Sequence, residues 1–153
     1  MSTLQLYGKV GANFLGGEAG GDALQIDYLS DTIKCSLHTV TYVPNIDTDE
    51  IFSAATNELS TANGYTAGGI TIGGKTVVYA GGGNVTTFDM DDTTVTWTAS
   101  GAGLTFQIAV FYDSTVATNP LIGYIDCGAQ VITTGNTFAI TTGATGLFTG
   151  TVS

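Results

Sequence analysis

The chain has one histidine, His38, so any Ser-His-Asp or Cys-His nucleophile would have to run through it. In the extended reading of residues 33–38, Ile33, Cys35 and Leu37 point one way, while Lys34, Ser36 and His38 point the other. His38 therefore faces away from Cys35 and is expected to be an exposed strand histidine. Asp89, Asp91 and Asp92, with Asn84, could offer oxygen ligands to a hard cation such as calcium. No D-x-D-x-D-G loop accompanies them, and aspartates at strand-to-strand turns serve the backbone. A glycosidase would need two acids about 5–10 Å apart in a groove. The glutamates are Glu18, Glu50 and Glu58, and nothing in their placement supports such a pair. Trp97 and Tyr65 have rings that stack on sugars, but Trp97 alternates inward with Val95 and reads as core. Tyr65, beside two turns, is the more exposed candidate. A Lys–Asn crosslink through Lys34 or Lys75 is chemically conceivable, though spacing gives it no geometry. The expectation is of no catalytic residue, no metal and no cofactor: a protein that is not an enzyme.

The elements that carry these residues are short and strand-like. Gly8, Gly11, Gly16-Gly17 and Gly20-Gly21 break up the opening, so residues 1–30 read as a Gly-rich arm or edge segment ahead of a domain at 31–153. Val10 to Leu15 is expected to be a short extended piece. After the strand that starts at Ile33, Pro44 stops the extended run. Asp47, with Glu50 three residues on, reads as a helix start, and Ile51, Phe52, Ala55 and Leu59 make one apolar stripe. One short helix is predicted, over about residues 49–59. The stretch from Thr56 to Thr71 then holds two sharp turn signals, Asn63-Gly64 and Gly68-Gly69, with Tyr65 between them. Held there, Tyr65 should fix the helix against a sheet edge; if wholly exposed, it would be a contact tip.

From Ile70 onward, strand signals recur between glycine-rich turns: 70–72, 75–79, 85–90, 93–98, 104–112, 120–126, 131–132, 137–141 and 147–149. The longest apolar run, Leu104–Tyr112, should be central, with Phe106, Ile108 and Val110 in the core. Charged residues make up only 10% of the 153 residues, and Thr and Gly fill their place. The fold class expected is all-β: a β-sandwich of jelly-roll or immunoglobulin-like type.

Charge narrows the partners. The net charge is −10, from 13 acidic residues against Lys9, Lys34 and Lys75, with no arginine. Phosphate neutralisation needs Lys and Arg, so nucleic acid is excluded as a partner, and an anionic membrane surface is equally unfavourable. No apolar run approaches the ~20 residues of a membrane-spanning helix. The first residues lack the basic start and apolar core of a signal peptide, so synthesis without export by the usual route is expected. Cys35 and Cys127 lie in strand-like apolar contexts and read as two buried free thiols.

An ordered set of segments resembles a known family. The set comprises Lys34-Cys35-Ser36-Leu37, Tyr42-Val43-Pro44-Asn45-Ile46-Asp47-Thr48, Thr56-Asn57-Glu58-Leu59 and Gly64-Tyr65-Thr66-Ala67-Gly68-Gly69. It continues with Lys75-Thr76-Val77, residues 91–97, Ala109-Val110-Phe111-Tyr112-Asp113 and residues 119–128. Over about residues 30–142 it looks like a family of small tailed-bacteriophage virion structural proteins. The chain departs from that family at Phe106-Gln107, where an arginine is usual, at Cys127 in place of a large apolar residue, and in its glycine-rich turn at 81–83. The resemblance implies a capsid cement (decoration) protein on the outer head surface, made in the host bacterial cytoplasm. Its partners would be the major capsid protein and itself, as a dimer or trimer. Tyr65, Leu4, Leu6, Tyr7 and Phe14 are the contact residues expected on this reading. The alternative is a head-fibre or tail-associated adhesin module that binds host-surface glycans.

Overall fold

The computed structural model describes residues 4–16, 24–143 and 146–151. The fold is all-β and sandwich-like. Its centre is a five-stranded antiparallel sheet in the order β1 (Gln5–Leu6), β8 (Leu121–Ile132), β7 (Leu104–Asp113), β2 (Ile33–His38) and β3 (Ile70–Thr71). A three-stranded antiparallel sheet runs β10 (Phe148–Thr151), β5 (Val85–Asp89) and β4 (Thr76–Ala80). The pair β6 (Thr96–Thr98) and β9 (Thr137–Ala139) completes the strands among the described residues.

The central sheet is covered on both faces. On one side Ile33, Cys35, Leu37, Ala109 and Phe111 join Met90, Val95, Trp97, Ile140 and Leu147 from the smaller sheets and their flanks. On the other, Ile108, Val110, Tyr112 and Leu121 pack under Tyr7, Tyr42, Phe52 and Ala55. Leu104–Asp113 is buried along most of its length, as a central strand should be. Simple alternation puts Phe106, Ile108 and Val110 on one face. A register shift between Phe106 and Ile108, opposite Gln130 and Asp126, breaks that alternation. Phe106 therefore belongs to one core cluster, and Ile108 and Val110 to the other. The same irregularity lets residues 121–126 and 131–132, which read as separate strands in sequence, run on as one.

The helix expected over residues 49–59 is reduced to a single 3-10 turn, Phe52–Ala54. Asp49 is spent elsewhere, accepting from the Asn45 N–H and the Tyr42 hydroxyl. Main-chain bonds from Phe52 N to Asn119 O and from Leu121 N to Glu50 O draw this segment alongside the start of β8. Phe52 also stacks on Tyr112 with ring centroids 4.0 Å apart. Tertiary pairing has overridden a weak helical stripe. The described α-helix is instead α1 (Val10–Phe14), where an extended piece was expected.

The opening packs against both sheets. β1 forms the edge of the central sheet by pairing with Gly123 and Tyr124. Phe14 on α1 stacks on Phe88 and Phe148, at 5.4 and 5.8 Å, and Tyr28 meets the same three rings edge-on. Residues 4–16 and 24–28 thus wedge the small sheet onto the central one.

Candidate interaction surface

Side chains that sequence marks as chemically capable are mostly consumed by internal bonds. His38 is wholly buried, not exposed, because the segment 39–57 covers its face of β2. Its Nδ1 lies 2.8 Å from the Thr56 carbonyl, and its Nε2 lies 2.9 Å from Ser36 Oγ. A carbonyl only accepts, so Nδ1 carries the proton and Nε2 accepts from the Ser36 hydroxyl. Burial lowers the His38 pKa, which keeps the ring neutral. Ser36 and His38 form a hydrogen-bonded pair deep under the surface, and it ties residue 56 to β2.

The aspartates at the β5–β6 turn serve the backbone and one threonine. Asp91 Oδ1 accepts from the Thr93 N–H and hydroxyl at 2.9 and 2.8 Å, while Asp89 and Asp92 converge on the Thr142 hydroxyl, each at 2.8 Å. Asn84 sits apart from them at the β4–β5 hairpin tip and accepts from the Tyr79 hydroxyl. Among the described residues, no three His, Cys, Asp or Glu side chains are grouped to hold a metal ion. Glu50 pairs with Lys9 at 2.9 Å, and Glu58 Oε1 accepts from Tyr65 and from the Gly68 N–H. Glu18 lies outside the described residues. Cys35 and Cys127 are free; burial pushes the Cys127 thiol up to about 11 and the Cys35 thiol well above its ordinary value.

One charged cluster has no counterpart in the sequence reading. Asp113, at the end of β7, is wholly buried. Its Oδ1 accepts from the Thr115 N–H at 2.7 Å, and its Oδ2 has no donor. The carboxyl meets the Asp31 side chain, and burial is the main force that pushes it up to about 6. Lys75 Nζ donates to the Asp31 carbonyl and lies 5.9 Å from the Tyr28 ring centroid. Asp113-Ser114-Thr115 is legible as a turn; the approach of Asp31 is a tertiary fact with no local signal.

The contact residues expected from sequence lie inward. Leu4, Tyr7 and Tyr65 are buried, and Leu6 and Phe14 are half-buried against the core. Each is apolar or amphipathic, and packing against the core accounts for it there. The Tyr7 and Tyr42 hydroxyls bond each other at 2.8 Å. Tyr65 fixes β2 rather than a helix: its hydroxyl donates to Glu58 Oε1 at 2.5 Å and accepts from the Leu37 N–H at 3.1 Å. Apolar exposure lies elsewhere. On β4, Val78 and Tyr79 are 58% and 60% exposed and Val77 lies beside them; in the loop after β2, Val40, Val43 and Ile46 are exposed together. All five residues of β4 are exposed, and among the described residues no strand pairs with its outer edge. Leu15, Leu29 and Val131 are exposed elsewhere, whereas this edge and the 40–46 loop each carry three exposed apolar side chains. Compared with family models, curated proteins and solved structures, the chain matches none.

Proposed function

We propose that the chain is a contact module of a tailed-phage head: a cement protein that binds the outer capsid surface and bridges neighbouring major-capsid subunits. The observation that carries this reading is the division of labour among its side chains. His38, Asp113 and Cys35 are shut inside, while six of the nine exposed large apolar side chains among the described residues lie on an open strand edge and a loop. Strand-edge pairing and apolar loop tips are the means by which such a module adds contact area at junctions strained by internal pressure. The net charge of −10 supports an outer position, since packaged DNA would repel the chain from the inside. The ordered likeness to phage virion proteins over about residues 30–142 supports the setting.

Heads prepared with and without the protein test this directly. Heads that lack it should lose integrity at lower temperature, and in low salt that complete heads withstand; equal survival removes the cement role. Immunogold labelling should decorate the head shell. Label on the tail would transfer the protein to the adhesin reading, in which exposed Tyr79 becomes the first residue to test for glycan contact.

A further inference from the structure

We propose that β4 is the self-association strand of this protein, and that it pairs antiparallel with β4 of a second copy across a two-fold axis at Val78. β4 is the longest strand at a sheet edge among the described residues, and β5 occupies only one of its sides. Natural proteins protect such edges with charge, proline, bulges or covering loops. Residues 76–88 contain no charged side chain and no proline, and β4 pairs with β5 without a register shift. All five residues of β4 are left exposed.

Charge selects a second copy as the occupant. In a chain at −10, most surfaces brought against their own image oppose carboxylates. Self-pairing about Val78 opposes none. It places Val78 against Val78, Val77 against Tyr79 on either side, Thr76 against Ala80, and Lys75 against Gly81. The two Val77–Tyr79 pairs join a β-branched residue to an aromatic one, a favourable cross-strand combination. The result is one continuous sheet of six strands, β10-β5-β4 joined to its copy, and an isologous interface that closes on itself. This inference deepens the proposed function by giving the β4 edge to a second copy, which leaves the 40–46 loop to the capsid, and it rests on that reading only for its setting. Work on the isolated chain tests the pairing, whereas particle assays test the capsid role.

The test is sedimentation velocity of the full chain over a concentration series, beside Val78→Lys. The expected result is a concentration-dependent dimer whose dissociation constant rises about tenfold or more in Val78→Lys, because two ammonium groups then face each other at the axis. Val78 is exposed, so the variant should keep the wild-type circular dichroism spectrum and buried-Trp97 fluorescence. A second readout uses mild oxidation. Val78→Cys should crosslink to a covalent dimer faster than Val131→Cys, which presents a still more exposed thiol on another strand. A monomer at every concentration, a dimer indifferent to Val78→Lys, or equal crosslinking of the two cysteine variants would each overturn the proposal.

Discussion

Asp113, buried at the end of β7, meets the half-buried carboxyl of Asp31, and one oxygen of Asp113 has no hydrogen-bond donor. A proton on that oxygen would satisfy both facts, since it gives Asp113 a donor to Asp31 and removes one of two like charges. Asp27 and Lys75 are the other charged groups that face this pair, with Lys75 held on the Asp31 carbonyl. The pair joins the end of β7 to the segment just before β2.

Asp113 should therefore make the protein less stable as pH rises. Its folded pKa, about 6, lies above its ordinary 3.8, so the folded state binds more protons between those values. Stability from this group is full below about pH 4 and is lost as pH climbs through 6. Asp113→Asn keeps an acceptor for the Thr115 N–H and supplies an amide donor toward Asp31. It should stabilise the protein at pH 7 by at most about 3 kcal/mol, with little effect at pH 4. Urea midpoints of both proteins at the two pH values would check this; equal slopes against pH would contradict it.

His38 works in the opposite sense. Burial holds its pKa below 6.5, so the folded state binds fewer protons than the unfolded chain. Its contribution is full above pH 6.5 and is lost as pH falls through the folded value. His38→Gln retains a donor for the Thr56 carbonyl and an acceptor for Ser36. It should flatten the acid limb of the stability profile, and the His38 ring resonances in NMR should titrate below the ordinary value.

Much of the strand pattern was legible in sequence because glycine and aspartate punctuate it. The Asn63-Gly64 signal became a two-residue hairpin, with Ala62 and Tyr65 bonded both ways and both central residues at positive φ. Gly69, at φ +70°, sits where a Cβ would strike the Cys35 carbonyl, so this turn packs directly on β2. Trp97 and Val95 are buried as their alternation implied. The burial of His38 was not legible. Alternation along 33–38 gives two faces but cannot say that a loop covers the second, and an apolar stripe at 51–59 mimicked a helix while supplying that cover. The fate of the opening was hidden for a similar reason: glycine-rich sequence reads as loose, yet Tyr7, Phe14 and Tyr28 anchor it.

Tyr65 ties its hairpin to β2 through one hydroxyl. In Tyr65→Phe the ring still fills the core, but the Leu37 N–H loses its acceptor and Glu58 keeps only the Gly68 N–H. The cost should be about 1–3 kcal/mol, the range for leaving a buried main-chain donor unmade. Hydrogen exchange would localise it, with faster exchange at Leu37 and Gly68 and little change on β5.

Phe14 is the wedge between the sheets, and its removal should be felt far from the N-terminus. Its ring stacks on Phe88 and Phe148 and meets Tyr28 edge-on. Truncation opens a gap that these three rings border, and Phe88 and Phe148 already stack on each other at 4.4 Å, so they can close only part of it. Phe14 is half-buried, so Phe14→Ala should cost about 2–3 kcal/mol, below the 3–5 kcal/mol of a fully buried phenylalanine. Two outcomes distinguish a wedge from a loose arm. If α1 holds the β10-β5-β4 sheet, the urea midpoint falls and amides of β5 exchange faster; if the opening were a detached arm, the midpoint would stay within about 0.5 kcal/mol of wild type.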